Sequence, residues 1–557
     1  MTEVMHPAVV LFTGAVIATI LRERAQQAWL LTIGALAIYA VSSLPAGEYG
    51  AREFMGLALT PMRVDALSLV FASVFAIITL IGAIYSLHVR DTAQHSAALV
   101  YAGSALGVVF AGDLLTLYVF WELMVFSSVW LIWCRRTPVS MASGYRYLLV
   151  HAFGGVVLLA GIVLYYQQTG SLDFGVIEDG GPAFWLILIG FMINAAVPPL
   201  HAWLADAYPE ATITGAIFLS ALTTKTAVYT LIRGYPGTEI LVWLGVVMTL
   251  WGVVYAMLTN DIRRLLAYHI VSQVGYMVAG VGMGTLMALN GSSAHAYTHI
   301  LYKALLFMGA GAVIHMTGRA KTTELGGLYR YMPWTLVLYM IGAFSIAAFP
   351  LFSGFVSKTM VVEAAALEGR AWVWLLLSMA SAGTFLSTGL KLPWFTFFGP
   401  DRGLRPKEAP LNMLIAMGIA AFLCIFIGVY PHWLYAMMPA PVDYNAYTAG
   451  HVLWELQLLL FTGVGFFLLL KYLGSKAKIT IDTDWVYRRL LPLVAGGVAG
   501  VGTRLWHGLA GAARGRFQAI AGDASVRHGV LARTWPTGSM LLWVAVLLAL
   551  FLIIRYA

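Results

Sequence analysis

The sequence predicts an all-α polytopic membrane protein with about 16 transmembrane helices. Of its 557 residues, 60% are hydrophobic and 10% are charged, with a mean hydropathy of +0.82. A soluble domain carries about 25% charged residues. Apolar stretches long enough to span a membrane recur along the chain, and basic residues concentrate in alternate loops. These observations exclude a soluble enzyme, a disordered protein and a nucleic-acid-binding module.

Sixteen apolar stretches approach the ~20 residues that a helical span needs. They are 5–21, 27–45, 65–88, 96–111, 113–133, 146–166, 183–198, 212–232, 240–258, 265–285, 294–316, 333–357, 371–398, 411–431, 453–471 and 538–556. With the N-terminus outside, the inner loops hold 24 of the 33 lysine and arginine residues and the outer loops and ends hold 5. This bias predicts a multi-pass protein of the cell's inner (plasma) membrane with both termini outside.

The loops are short except for residues 472–537, where arginines alternate with leucines and valines. This pattern is typical of an amphipathic segment on the cytoplasmic face, and Pro492 argues against one unbroken helix there. The predicted organisation is N-terminal helices, two five-helix repeats, further helices, the amphipathic segment and a final helix. The boundaries are 1–95, 96–232, 240–398, 411–471, 472–537 and 538–557.

Two predicted spans contain helix-breaking prolines at corresponding places. Pro198 and Pro199 end one span, and Pro350 interrupts the other. Proline removes a backbone donor, and the carbonyls it frees need other partners inside a membrane. Broken helices in corresponding positions of two halves indicate a transport site. Because each half has an odd number of helices, the two repeats are predicted to be inverted.

Charged side chains inside the predicted spans indicate function. An ionisable group at mid-membrane costs at least ~2.5–3.5 kcal/mol on insertion scales. Glu122 lies deep in the fifth span and Lys225 in the eighth, and we expect the two to pair. The alternative is that Glu122 only locks two helices together. His151 is expected to form an interhelical hydrogen bond.

Further titratable residues extend this pattern through the second half. His295, His299 and Lys303 recur every four residues and share one helix face. This spacing favours a proton relay over a zinc site, because no third ligand lies nearby. The complete set of candidate proton-translocation residues is Glu122, Lys225, His269, His295, His299, Lys303, Lys358 and Lys391.

Several motifs resemble the antiporter-like subunits of respiratory complex I and of Mrp-type cation/proton antiporters, most of all an Mrp D subunit. They lie at residues 120–124, 199–204, 206–211, 225–227, 295–307, 324–328 and 353–358, and the resemblance covers roughly residues 60–430. The resemblance implies proton transfer along a central polar axis. Asn194 stands where the family usually places a lysine that partners the fifth-span glutamate. Asparagine cannot titrate, so either Lys225 partners Glu122 or the first half-channel is altered or inactive.

The resemblance implies a proton-translocating subunit of a multi-subunit cation/proton antiporter, with Na⁺ as the expected cation. Two alternatives stay open: a proton-pumping subunit of a complex I-type or membrane-hydrogenase-type oxidoreductase, and a structural subunit of an inorganic-carbon uptake complex. The expected partners are other membrane subunits, protons, Na⁺ and lipid, without nucleic acid. We expect no intrinsic catalytic chemistry and no cofactor bound by this chain alone. Its two cysteines, Cys134 and Cys424, form no CxxC pair.

Overall fold

The computed structural model describes residues 5–178, 180–474, 482–525 and 536–556. The chain forms two compact units, Met1–Thr483 and Asp484–Ala557. The larger unit contains the candidate residues and is built almost entirely of helices, together with two small two-stranded antiparallel sheets.

The helices of the larger unit are α1 Pro7–Ile20, α2 Glu23–Ser42, α3 Ala66–Tyr85, α4 Thr92–Phe110, α5 Leu114–Trp133, α6 Pro138–Thr169, α7 Pro182–Asn194, α8 Ala202–Ala207, α9 Gly215–Ala221, α10 Thr223–Gly234, α11 Glu239–Leu258, α12 Ile262–Met283, α13 Leu286–Thr317, α14 Pro333–Ile346, α15 Ser353–Leu367, α16 Ala371–Thr384, α17 Leu411–Val429, α18 His432–Tyr435, α19 Ala449–Leu468 and α20 Leu470–Leu473. Two π-helical segments, Phe385–Lys391 and Trp394–Phe398, follow α16. Single turns of 3₁₀-helix lie at Tyr208–Glu210 and Leu328–Arg330. Strand β1 (Gly47–Tyr49) pairs with β4 (Met62–Val64), and β2 (Arg52–Phe54) pairs with β3 (Leu57–Leu59).

Every apolar stretch predicted from the sequence coincides with helix. Within the described ranges, 12 helices are long and apolar enough to cross a membrane. Four shorter apolar helices accompany them: Pro7–Ile20, Pro182–Asn194, Pro333–Ile346 and Thr537–Leu552. The predicted helical, multi-span architecture is therefore confirmed. The stretch 212–232 differs from the prediction because it is divided at Leu222 into α9 and α10.

The centre of the larger unit is formed by α9, α10, α12 and α13. In Gly215–Gly234 and in Ile262–Met283, all of the most apolar 18 residues are buried inside the unit. In Ala449–Leu468, only 17% of the corresponding residues are buried. Helices α11 and α12 approach closely at Gly245 and Gly275, where a side-chain carbon would meet the facing backbone within 2.6 Å. Small residues allow such approach between apolar helices. The polar residues of the sequence are thus carried by the most enclosed helices.

Helices α6 and α13 of the larger unit have the same length and the same types of capping residue at both ends. Helices α6 and α13 are both 32 residues long. Each is capped at its start by a threonine, Thr137 or Thr285, and closed by a left-handed glycine, Gly170 or Gly318. Glycine adopts this conformation without the steric cost of a Cβ. The helices before them, α5 and α12, are also matched, since each begins at an aspartate cap that forms an isolated β-bridge.

Both predicted helix breaks are present and have similar geometry. Helix α7 ends at Asn194, and Ala196 turns the chain at φ +57° just before the proline pair. Helix α14 ends at Ile346, and Ala348 turns the chain at φ +58° just before Pro350. A non-glycine residue at positive φ is uncommon. The two breaks therefore repeat an unusual backbone conformation, which leaves the last carbonyls of α7 and α14 without helical partners.

The smaller unit consists of a π-helical turn at Val486–Leu490 and two helices, α21 Leu491–Ser525 and α22 Thr537–Tyr556. The π-helical turn ends two residues before Pro492, and α21 then runs over 35 residues, so the glycines between Leu491 and Ser525 do not break the helix. The helical backbone runs from that π-helical turn through Leu491 into Pro492, which lacks the N–H donor of an ordinary helix residue. Residues 475–481 and 526–535 of the predicted amphipathic segment lie outside the described residues.

Candidate functional site

The predicted proton-translocation residues lie in the enclosed centre of the helix bundle. Glu122 alone among them is half-buried. The other seven are at most 1% exposed: Lys225, His269, His295, His299, Lys303, Lys358 and Lys391. Burial of this many ionisable groups requires specific partners, because each unpaired charge is costly in an apolar surrounding.

Two lysines donate to the last carbonyls of interrupted helices. Lys225 Nζ lies 2.5 Å from the carbonyl oxygen of Ser220, where α9 ends, and also donates to Thr224 Oγ1 at 3.1 Å. Lys358 Nζ lies 3.2 Å from the carbonyl oxygen of Ile346, the final residue of α14. These carbonyls have no partner within their helix and lie at its negative end. The helix breaks thereby create binding sites for ammonium groups.

Lys391 follows the same rule at the end of α11. Its Nζ lies 2.5 Å from the carbonyl oxygen of Met257 and 3.3 Å from that of Thr259. Lys303 instead donates to the carbonyl oxygen of Leu266, within α12, at 3.2 Å. Three of the four buried lysines are thus held by helix C-termini.

Histidines connect these lysines electrostatically. Lys225, Lys303 and two further histidines, His295 and His269, are close enough to act electrostatically on His299. The charge of His269 interacts with those of Lys303, Lys358 and Lys391, and its Nε2 lies 2.6 Å from Ser387 Oγ. Neither ring nitrogen of His299 has a hydrogen-bond partner within the described part of the chain. The structure therefore brings these buried lysines and histidines within electrostatic range of one another.

The direct pair between Glu122 and Lys225 is not formed, so this prediction is wrong. No ion pair joins them in the described ranges, and Glu122 Oε1 has no hydrogen-bond partner there. Glu122 packs against Gly155 of α6, where a side-chain carbon would collide with its carboxylate. Lys225 instead donates to the carbonyl oxygen of Ser220. The rotation of α5 about its axis directs the carboxylate towards α6 rather than towards α10.

The side chain of Asn194 hydrogen bonds to His151 of α6. His151 Nδ1 on α6 lies 2.7 Å from Asn194 Oδ1, which confirms the interhelical hydrogen bond predicted for this histidine. The end of α7 is capped by Trp203, whose indole Nε1 donates to the carbonyl oxygen of Ile193 at 3.0 Å. The end of α7 is thus capped by a neutral indole N–H, whereas the end of α14 is capped by the ammonium group of Lys358.

The sequence reasoning missed Glu455 on α19. Only three residues of this helix are buried, and Glu455, 6% exposed, is one of them. Its charge interacts with that of Lys358. The signal that could have found it is the one that identified Glu122: a lone carboxylate within an apolar span.

A second missed group joins the connector after α20 to the first helix break. Asp482 Oδ1 lies 3.3 Å from His201 Nε2, and Tyr268 Oη donates to Asp482 Oδ2 at 2.8 Å. Burial alone would raise the pKa of Asp482, but its interactions with His201, the Thr483 N–H and Tyr268 together hold that pKa below its ordinary value. No sequence pattern links these residues, since 281 positions separate His201 from Asp482.

The described residues contain no group of three His, Cys, Asp or Glu side chains arranged to hold a metal ion. What they contain is a group of buried titratable side chains enclosed by apolar helices. Buried ionisable residues that face a bundle interior mark ion and proton pathways in membrane proteins. Fold and site together define the class of multi-pass helical membrane proteins with an internal polar axis.

Comparison with known proteins gives the family. Residues 111–386 match the family described as "NADH:quinone oxidoreductase/Mrp antiporter, TM". The chain is 30% identical over 360 residues to the D subunit of the Na(+)/H(+) antiporter of Alkalihalophilus pseudofirmus, a match that covers 60% of this chain and 72% of that protein. The chain belongs to this family of antiporter-like membrane subunits.

A second relative is Hydrogenase-4 component B of Escherichia coli (strain K12), 28% identical over 430 residues. That match covers 69% of this chain and 64% of the relative, so this chain spans less than two thirds of the relative's length. Among solved structures, a chain of the membrane-bound sulfane sulfur reductase, an archaeal respiratory membrane complex, matches with a TM-score of 0.73 and 23% identity. The match covers 99% of this chain and all of that chain, and it supports the fold.

We predict that Asp482→Asn destabilises the protein at neutral pH and that the effect disappears in acid. Because the pKa of Asp482 is lowered on folding, its charged form contributes stability above the unfolded pKa and loses it as pH falls through the folded pKa. A loss on the order of 1–3 kcal/mol is expected at pH 7. Thermal unfolding in detergent at pH 7 and below about pH 4, the ordinary aspartate range, measures it. The exposed Asp443→Asn is the control, and equal destabilisation at both pH values would contradict the prediction.

We predict that Lys358 and Glu455 are energetically coupled. The two charges attract each other through a buried environment, although no ion pair within 4.0 Å joins them in the described ranges, so removing either charge weakens the compensation of the other. Lys358→Met and Glu455→Gln should each lower the unfolding temperature, and the double variant should lose less than the sum. A double-mutant cycle on thermal stability measures the coupling. Strictly additive losses would show that the two charges act independently.

Proposed function

We propose that this chain is a proton-translocating membrane subunit of a multi-subunit cation/proton antiporter, with Na⁺ as the exchanged cation. The observation that carries the proposal is the row of buried lysines and histidines running from Lys225 through His299 to Lys391. Similarity to the D subunit of an Na(+)/H(+) antiporter supports it. The other membrane subunits of such an assembly would be the direct partners of this chain.

The buried lysines are suited to proton transfer because two opposing effects act on each ammonium group. Carbonyl oxygens at helix ends stabilise the charged form, and burial stabilises the neutral form. Histidines between them can accept a proton at one ring nitrogen and release it from the other. Buried polar atoms that have no partner among the described residues, such as both ring nitrogens of His299, are commonly satisfied by water. Water at these atoms would complete a hydrogen-bonded path.

The finer membrane arrangement belongs to the same proposal. We infer sixteen spans, two inverted five-helix repeats, an amphipathic cytoplasmic segment and both termini outside the plasma membrane. The matched lengths and caps of α6 and α13 and the equal turns at Ala196 and Ala348 support the repeats. The concentration of basic residues in alternate loops supports the orientation.

A second candidate function has one specific observation in its favour. Identity of 28% to Hydrogenase-4 component B favours a subunit whose proton movement is driven by redox chemistry elsewhere in a complex. Native mass spectrometry of the gently solubilised complex distinguishes the two candidates. Flavin or iron–sulfur subunits would indicate the redox-driven complex, and small membrane subunits alone would indicate the antiporter.

We predict that Glu122→Gln and Lys225→Ala each reduce proton flux by roughly tenfold or more, equivalent to ~1.4 kcal/mol of barrier. The first removes an intramembrane acid, and the second removes the first lysine of the axis. Asn194→Lys should change the pH dependence of flux, because it adds a titratable amine beside His151. Flux into vesicles that contain the assembled complex, under an imposed Na⁺ gradient, measures all three.

Glu324→Gln in the 318–332 loop is the control, because it removes a carboxylate from a solvent-facing cluster with Arg319 and Lys321. It should leave flux at the wild-type level. Unchanged flux for both Glu122→Gln and Lys225→Ala would refute a conducting first half and assign transfer to Lys358 and His299.

We predict that loops 399–410 and 170–181 face opposite sides of the membrane. In a Cys134→Ser background, Arg402→Cys should react with an impermeant thiol reagent from the cytoplasmic side, and Glu178→Cys from outside. Both positions are exposed, and the remaining Cys424 is buried. Labelling of both positions from one side would overturn the orientation.

A further inference from the structure

We propose that Glu455 of α19 accepts the proton that leaves Lys358 and passes it on towards the outer side of the membrane. This inference rests on the proposed function, and it assigns a proton-transfer role to an acid that lies outside the two predicted repeats. It follows from three features: the contacts of α19 beside the second helix break, the surroundings of Lys358, and the polar groups around Glu455 that reach the surface.

Helix α19 turns the face that carries Glu455 towards the second helix break. One turn before Glu455, the ring of His451 stacks on Phe355 of α15, with ring centroids 5.0 Å apart. One turn after it, Leu459 forms a buried apolar cluster with Ala347, the residue that follows the end of α14. Residues four apart lie on the same helix face, so Glu455 is placed between these two contacts.

Lys358 is the buried cation at this place. Its Nζ donates to the carbonyl oxygen of Ile346 at 3.2 Å and to Ser381 Oγ at 2.7 Å, and it lies 5.7 Å from the centre of the Tyr276 ring. A carbonyl or hydroxyl oxygen accepts a hydrogen bond but does not hold a proton at ordinary pH, whereas a carboxylate can. Glu455 is a carboxylate close enough to act electrostatically on Lys358. A base that can hold the released proton is therefore nearby.

Glu455 also differs from a fixed counter-ion. A buried ion pair is stable only when its geometry is close and its remaining polar atoms are hydrogen-bonded. In the described ranges, no ion pair within 4.0 Å joins Glu455 to Lys358, and Glu455 Oε2 is buried without a hydrogen-bond partner. Buried polar atoms in this situation are commonly satisfied by water. One water between the two side chains would carry the proton from the ammonium group to the carboxylate.

Polar groups around Glu455 lead to the surface of the bundle. Tyr444, in the segment before α19, is close enough to Glu455 and to Glu363 for both to act electrostatically on it. Its Oη lies 2.9 Å from Thr359 Oγ1 and 3.5 Å from His451 Nδ1. Glu455 is buried, whereas three of these neighbours are partly exposed: Tyr444, His451 and Glu363. A proton on Glu455 therefore has titratable and hydroxyl groups between it and the surface.

These groups lie at the end of the bundle that the proposed orientation places outside. Tyr444 belongs to the segment between α17 and α19, and α17 separates that segment from the loop 399–410. Because this loop is inferred to be cytoplasmic, the segment that contains Tyr444 faces the outer side. The direction of transfer is thus from the enclosed lysine, through an acid on α19, to the outer surface.

The test measures proton flux per assembled complex in vesicles under an imposed Na⁺ gradient. Glu455→Gln keeps the size of the side chain but cannot hold a proton, and it should lower flux roughly tenfold or more. Glu455→Asp keeps a carboxyl group, and flux should stay within about threefold of wild type, because transfer through water tolerates a shorter side chain. The exposed Asp443→Asn, at the same end of the bundle, is the control and should leave flux unchanged.

Two results would overturn the inference. One is flux within about twofold of wild type for Glu455→Gln. The other is an equal loss in Glu455→Gln and Glu455→Asp, since the carboxyl group would then make no difference to transfer.

A second pair of variants keeps the inference testable if Glu455→Gln does not assemble. Glu363→Gln removes the partly exposed carboxylate near Tyr444, and it should lower flux several-fold. Glu368→Gln is the matched control, because this carboxylate follows α15 and pairs with Arg370 at 2.9 Å instead. Equal flux in the two variants would likewise contradict the inference.

The same assay separates this inference from the proposed function. If Lys225→Ala and Lys358→Met abolish flux while Glu455→Gln and Glu363→Gln do not, Glu455 is not the acceptor, but the chain still translocates protons. If none of these substitutions changes flux, the proposed function itself fails.

Discussion

The polar interior of this protein depends on one interaction, in which a lysine ammonium donates to a main-chain carbonyl at the end of a helix. Lys225, Lys358 and Lys391 all make it, at the ends of α9, α14 and α11. In a membrane, an interrupted helix leaves carbonyl oxygens that have no water to accept hydrogen bonds from. A buried lysine ammonium likewise has no water to hydrate its charge. At these three helix ends, the ammonium group and the carbonyl oxygen satisfy each other.

The two helix breaks use this interaction differently. The carbonyl of Ile346 at the end of α14 receives the charged Lys358, whereas that of Ile193 near the end of α7 receives the neutral indole of Trp203. The backbone turns at Ala196 and Ala348 are nevertheless alike. The two breaks thus share the same backbone conformation. They differ in the side chain that donates to the helix end, which is neutral at α7 and an ammonium group at α14.

Segments after the two predicted repeats contribute acids to the core. Glu455 projects from α19, otherwise largely exposed, and its charge acts on Lys358. Asp482, on the connector beyond α20, contacts His201 beside the first break and Tyr268 on α12. Both acids are buried, with 6% of each residue exposed. The C-terminal part of the larger unit is therefore linked electrostatically to both helix breaks.

The sequence by itself determined the helical class, the position of nearly every helix, both breaks and the burial of the candidate lysines and histidines. These follow from local properties: apolar length, proline and the cost of charge in an apolar medium. The tertiary structure decided which side chains meet. One residue along a helix turns a side chain by about 100°, so helix rotation directs Glu122 to Gly155 instead of Lys225. Rotation and packing also bring His151 to Asn194 and Glu455 towards Lys358, and no sequence spacing encodes them.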